Sequence, residues 1–428
     1  MNIRKLAVLF GLALTIVIGS AASKVAVAAT LTVDDDLVQC PAATFTSISA
    51  AVAAANPGDT IKVCAGTYNE LVQVDRTLTI LGAQSSVDAR TRAVPASSES
   101  VVGSGDGAFQ ILANNVVIDG FTIQGVNNPP NLPPFTGLGA GIWTNPGFSA
   151  TNGGHQIRNN IIQNNIVGIF LNNDGTLATT VVHNRIQNNN NPGPASGTGI
   201  ESELGLIKAT IDSNKFVGNT VESAIDIFGG SNITFSGNEF DSNRRAIGLE
   251  GVTSSAITGN NSHNSNDPAT ADIRIFGGVS SLSITCNNLA NGLGRAIRIN
   301  DAGFGGGPNS SITINKNNIS GYPTGLEENL GGYTGGFNSL DATSNWWGSS
   351  TGPTIASNLG GTGELIIDED GVVKYSPFLT SVSSCAPVPQ IGPPTNKDQC
   401  KKDGWMNFNV PRKFKNQGDC IQFVNTGK

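Results

Sequence analysis

Two rows of side chains recur through the middle of the chain. Their residue types can do chemistry. A small residue followed by an aliphatic one appears at Gly141-Ile142, Gly168-Ile169, Gly199-Ile200, Ala224-Ile225, Ala246-Ile247, Ala296-Ile297 and Gly325-Leu326, with Asp272-Ile273 as the one departure. Two residues past each first member stand Trp143, Phe170, Glu201, Asp226, Gly248, Arg274, Arg298 and Glu327. Two further on stand Asn145, Asn172, Glu203, Phe228, Glu250, Phe276, Asn300 and Asn329. On extended backbone both rows face the same way. Glu201 and Asp226 become neighbours if successive units stack at the strand spacing of about 4.8 Å. Two carboxylates so placed can share a proton, divide acid and base roles, or bind a cation. Arg274 and Arg298 can each grip a carboxylate through two hydrogen bonds. Trp143, Phe170, Phe228 and Phe276 offer faces on which sugar rings stack.

Such a stripe needs stacked short strands, and a second repeat supplies them. Asn160, Asn184, Asn214, Asn238, Asn260, Asn287, Asn317 and Asn345 each follow two residues behind an aliphatic-x pair, as in Ile211-Asp212-Ser213-Asn214 and Phe235-Ser236-Gly237-Asn238. Both columns drift together along the chain, so insertions fall between fixed strands. Ile233 and Phe235 alternate with Thr234 and Ser236, the period-two mark of a strand with one buried face. A single unit cannot bury that face, whereas a stack of units can. The Asn column reads as scaffold: Asn accepts left-handed turns and bonds to neighbouring backbone or to the next Asn.

Composition agrees with many short strands. Gly is 53 of 428 residues, charged residues are 13% and aromatics 6%, which suits strands joined by Gly- and Asn-rich turns. The net charge of −7 argues against nucleic acid as a partner. Arg4 and Lys5, the apolar run Leu6 to Ile18, and Ala26-Val27-Ala28 form an export signal ending at residue 28. Six cysteines suit an oxidising compartment and lack zinc-site spacing. The simplest pairing is Cys40 with Cys64, Cys286 with Cys385 and Cys400 with Cys420, and other pairings stay open. His155, His183 and His263 each stand beside an Asn turn and read as solvated turn residues. Residues 385–396 form a Pro-rich spacer. Residues 397–428 are short, basic and aromatic, and resemble a small C-terminal module of secreted bacterial proteins.

Larger motifs carry a family resemblance. Phe45 to Asn56, then Pro57-Gly58-Asp59 leading into Thr60-Ile61-Lys62-Val63, resembles the opening of right-handed parallel β-helix proteins of the pectin-lyase-like superfamily. Asn345-Trp346-Trp347-Gly348 with Thr351-Gly352-Pro353 is similar to the segment that often closes them. The resemblance implies an all-β, single-stranded right-handed parallel β-helix over residues 29–384. A short helix would cap its first coil, and a disulfide-stapled C-terminal module would follow. For function it implies only a broad choice, because the superfamily hosts lyases, hydrolases, esterases, epimerases, adhesins and binding proteins. Asp226-Ile227-Phe228-Gly229-Gly230 resembles the Asp-Phe-Ile-Phe-Gly stretch of pectin methylesterases, but their Gln-Asp and Gly-Arg-Pro-Trp segments are absent. The motifs of polygalacturonases and alginate epimerases are absent too.

The leading expectation is an exported, monomeric protein contacting extracellular or cell-surface polysaccharide through the stripe. The first alternative is a polysaccharide lyase, glycoside hydrolase or esterase using Glu201, Asp226, Arg274 and Arg298, with Trp143, Phe170, Glu203, Phe228 and Phe276 as glycan contacts. The second is a structural or adhesin-type spacer. No motif specifies a metal, and Ca2+ has only the paired carboxylates behind it.

Overall fold

A computed structural model describes residues 28–92, 98–128, 139–144, 152–203, 205–300, 306–388, 394, 396–401, 404–408 and 412–427. The expected export signal 1–28, apart from residue 28, lies outside the described residues, as do Asn145 and most of the two loops at 127–137 and 301–309.

The chain winds as a solenoid of three-faced coils. One coil runs through Thr198–Ser202, Leu206–Asp212 and Lys215–Val217. In the next, the first two faces form one bent strand, Ile225–Ser236, followed by Glu239–Asp241. Every strand pairs in parallel with its equivalent one coil away. Inward positions therefore stack on like positions. Ile169, Ile200, Ile225, Ile247, Ile273, Ile297 and Leu326 form one such column, each at most 1% exposed. Ile211, Phe235, Ile257, Ile284 and Ile314 form a second, and Ile186, Phe216 and Phe240 belong to a third. Phe216 and Phe240 stack at 5.0 Å. Burying each such side chain is worth roughly 1.5–3 kcal/mol, so continuous columns rather than any single coil hold the fold.

The Asn column forms an unbroken ladder. Each Nδ2 donates to Oδ1 of the next Asn, from Asn160 to Asn184 at 3.1 Å through to Asn317 to Asn345 at 3.0 Å. Each backbone N–H along the ladder donates to the same oxygen. One detail differs from expectation. The left-handed residue is the one before each Asn, as in His183, Ser213, Gly237 and Cys286, with φ between 52° and 58°. The Asn itself thus turns its amide inward, where every polar atom is bonded. A second ladder, not anticipated, runs five residues later through Asn165, Asn189, Asn219 and Asn243.

Helix Ile48–Ala54 closes the N-terminal end. Ser47 caps it, and the Glu70 carboxylate takes the backbone N–H groups of Ile48 and Ser49 at 2.7 and 2.9 Å. Two N–H groups without intrahelical partners are thereby satisfied. Trp347, fully buried, packs into the core near the C-terminal end. The disulfides join Cys40 to Cys64, Cys286 to Cys385 and Cys400 to Cys420. The last staples a small unit of two 3-10 turns, Lys397–Cys400 and Gly404–Asn407, and the helix Gln417–Thr426. No helix of the described residues is long and apolar enough to cross a membrane.

Candidate functional site

The first row of the stripe is in register throughout. Trp143 pairs with Phe170, Phe170 with Glu201, Glu201 with Asp226, Asp226 with Gly248, Gly248 with Arg274, Arg274 with Arg298 and Arg298 with Glu327. Towards the N-terminus it continues through Gln110 and Gln73. There a cavity of about 320 Å3 lies beneath the cap helix, lined by Ser49, Leu71, Gln73 and Arg76 among others. In the second row, Phe228 pairs with Glu250, but a register shift sets Glu250 opposite Gly277 instead of Phe276.

Burial departs from the expected solvated face. Trp143 and Phe170 are 1% and 0% exposed, with their rings edge to face at 5.7 Å. They pack with Ala140, Ile166 and Val167 into a small apolar cluster of their own. They therefore serve as packing here and not as open sugar-stacking platforms. Phe276 is also buried, at 5% exposed, whereas Phe228 and Glu203 are half-buried. Strand alternation predicts direction but says nothing of what lies on top, which explains the error.

Glu201 and Asp226 are 3% and 2% exposed. Glu201 Oε2 and Asp226 Oδ1 are buried without a hydrogen-bond partner among the described residues. Burial raises the Glu201 pKa well above the usual carboxylate range, and the charges of Asp226 and Glu203 add to the effect. Asp226 is also raised by burial, to about 6, against the opposing pull of Arg245. Burial therefore favours the protonated form of both carboxyls, and Arg245 offsets this at Asp226 alone.

The sequence reading missed Arg245. It is 1% exposed and sits in the turn just before the strand Ile247–Thr258. Its Nη1 lies 3.1 Å from Asp226 Oδ2 and donates to Ser223 Oγ at 2.8 Å. Its Nε donates to Thr270 Oγ1 at 3.3 Å. Ser223 Oγ also donates to Asp226 Oδ2, at 3.1 Å. One carboxylate oxygen is thus fixed and the other left open. Gly248 makes the room, because a Cβ there would overlap Asp226 Oδ1 and crowd the Phe276 ring.

Arg274 and Arg298 part company. Arg298 lies 2.9 Å from Glu327 Oε1 and donates to Asn329 Oδ1 at 2.8 Å, while Arg295 takes the other oxygen of Glu327 at 2.5 Å. Arg298 is therefore committed within the protein, which corrects its expected role as an open carboxylate clamp. Arg274 packs over Phe276 at 4.2 Å, and its Nε is buried without a hydrogen-bond partner among the described residues. Burial and the nearby Arg245 and Arg298 lower its pKa to about 10. A guanidinium surrounded by other cations is stabilised by an incoming anion.

The histidines stand apart from this cluster. His155 is fully buried, with its pKa lowered to about 4 by desolvation, so it is a neutral core residue and not a solvated turn. His263 lies on a strand beside Asp241 and Glu239, whose hydrogen bonds raise it to about 9 despite burial. The carboxylates of Asp34, Asp35 and Asp36 lie close enough to share a cation. They already accept the backbone N–H groups of Cys40, Thr67 and Val38, which accounts for them as turn-forming groups.

Residues 167–358 match the family model described as a right handed beta helix region. The chain has a right-handed parallel β-helix fold. Among solved structures it is similar to the Dettilon tailspike protein gp208, at 18% identity and a TM-score of 0.47, over 75% of this chain and 63% of that one. It is similar to an alginate lyase from Paenibacillus sp. str. FPU-7 at 14% identity and a TM-score of 0.44, over 73% and 99%. The A-module of the Azotobacter vinelandii mannuronan C-5 epimerase AlgE6 matches at 11% identity and a TM-score of 0.39, over 80% and 94%. No curated protein sequence matches significantly.

Proposed function

We propose that this protein is an exported enzyme acting on an acidic polysaccharide. Glu201 and Asp226 supply proton transfer, and Arg274 receives an anionic group of the sugar. The observation behind this reading is the buried carboxylate pair, in which each acid presents one unbonded oxygen. Unpaired buried oxygens are costly and are kept where they serve a site. Within the pair, Glu201 acts as general acid because burial and the neighbouring carboxylates favour its protonated form. Asp226, held by Arg245 and Ser223, acts as the base or nucleophile. This division follows the rule that environments push paired carboxylates apart. The three disulfides and the N-terminal signal support an extracytoplasmic site of action.

The experiment is a panel of uronate-containing and neutral polysaccharides, assayed for reducing ends, unsaturated ends and released methanol. Product from an acidic glycan that E201Q and D226N each lower by about 100-fold or more supports the reading. A second reading, binding without chemistry, draws on the burial of Trp143 and Phe170 and the closed Arg298–Glu327 pair, which leave a short reactive stretch. Retention of an acidic glycan without any product would establish that reading instead.

A further inference from the structure

We propose that the C-terminal module is a separate polyanion-binding unit that tethers the protein to acidic polysaccharide independently of the carboxylate stripe. The first observation is its closure. Cys400, Phe408, Phe414 and Cys420 form their own core at 0–9% exposed, with Trp405, Ile421, Phe423 and Val424 packed against it. Phe414 meets Phe408 at 6.3 Å and Phe423 at 5.5 Å, and the Cys400–Cys420 bond ties the first turn to the helix. A unit this small needs such a staple. Asn396 and Asn416 cap its helical elements, and Gly427 ends the helix with φ 70°. The Pro-rich segment 385–396 separates it from the solenoid.

The second observation is charge. Residues 397–428 carry seven Lys and Arg against three Asp, in a chain whose net charge is −7. Two of the acids are consumed internally. Asp398 pairs with Lys401 at 2.6 Å, and Asp419 pairs with Arg412 at 2.8 Å. Arg412 itself lies over Phe414 and Phe423, at 5.3 and 5.9 Å. Lys397, Lys413 and Lys415 are exposed and have no ion pair among the described residues. Lys413 and Lys415 flank the inward-facing Phe414, so both project away from the core. The module is thus a cationic knob on an acidic body, and a flexible anionic chain is the partner that its charge selects.

A lipid surface fits less well. Insertion needs an apolar face, yet Ile421, Phe423 and Val424 are turned into the module's own core. Among its described large apolar side chains only Met406 stands out, at 61% exposed.

The test uses the full chain on immobilised dextran sulfate, with unmodified dextran as the neutral control. Four proteins are compared: wild type, K397E/K413E/K415E, K397R/K413R/K415R and R274A. Wild type, the Arg variant and R274A should be retained and eluted by salt. The Glu variant should bind about tenfold more weakly or worse. Equal retention of the Glu variant overturns the proposal, as does equal loss in the Arg variant. Loss in R274A alone would place polyanion binding on the stripe and overturn the tail. Binding to phosphatidylglycerol vesicles without binding to dextran sulfate would also overturn it, in favour of a membrane surface. R274A separates this inference from the proposed activity, which can fail while tail binding stands.

Discussion

Asp226 and Glu201 differ by one neighbour, and the difference decides their chemistry. Arg245 touches Asp226 at 3.1 Å, whereas the charges nearest Glu201 are carboxylates. The expected pH profile follows. Activity rises with pH as Asp226 ionises near pH 6 and falls again, at higher pH, as Glu201 loses its proton. E201Q should leave the acidic limb in whatever activity remains and abolish the alkaline one. The stability effect has a definite sign. A carboxyl whose folded pKa is raised favours the fold while protonated, and that favour is lost as pH rises above about 4.3 through the folded value. E201Q should therefore raise the melting temperature by about 1–2 °C at pH 8 and leave it unchanged at pH 4. A melting temperature lowered equally at both pH values would show that Glu201 is a structural acceptor. Gly248 offers a second test of the site. G248A should displace the Asp226 carboxylate and cut turnover by at least about tenfold, and the overpacking against Asp226 and Phe276 should also lower the unfolding midpoint. Unaltered turnover would mean that the open Asp226 oxygen is not used.

At the scale of elements, the sequence was most legible where side chains repeat. The Gly/Ala-Ile pairs placed Glu201 beside Asp226 and Arg274 beside Arg298 in the correct register, because coil-to-coil pairing forces like positions together. The first Asn ladder was legible for the same reason. The second, Asn165 to Asn243, carried an equal signal five residues on and was simply shorter. What stayed illegible depends on turns. Arg245 and Ser223 lie outside the period-two strands, and no periodicity says which way a turn residue points. The burial of Trp143 and Phe170 was hidden likewise, since local alternation does not count what packs above. The ladder has a measurable price: N214A removes an amide that bonds both neighbouring rungs and the Val181 and Asp212 carbonyls. It should cost about 2–4 kcal/mol in urea denaturation, and a loss below 1 kcal/mol would mean that the ladder is ornamental. His263 tests the third face. Its raised folded pKa gives stability that is full below about pH 6.5 and lost as pH rises through about 9. The penalty for H263Q should accordingly be largest near pH 6 and vanish by about pH 10.

For the whole molecule, solenoid architecture limits how far any perturbation travels. Each coil touches only its neighbours, so stability is a sum of local terms along the stack. The Cys286–Cys385 bond is an exception, because it closes a segment of 99 residues. It ties the stretch after the last strand, Val373–Lys374, back to the turn where Cys286 precedes ladder residue Asn287. A loop of that length is worth about 4–5 kcal/mol in chain entropy. C286S/C385S should therefore loosen the C-terminal coils selectively. Backbone amide exchange should speed up from Asn288 to Lys374 and remain slow in the strands between Thr30 and Ile111, which the cap helix closes from the other end. C400S/C420S should leave both regions untouched and affect only the terminal module. Uniform acceleration along the solenoid in the first variant would show that the coils unfold as one cooperative block. The Glu201–Asp226 pair lies N-terminal to Cys286, in coils that the first double variant should leave protected. Its proton-transfer chemistry should therefore survive loss of that disulfide, and activity lost in step with C-terminal fraying would place the reactive stretch further along the stripe, nearer Arg298 and Glu327.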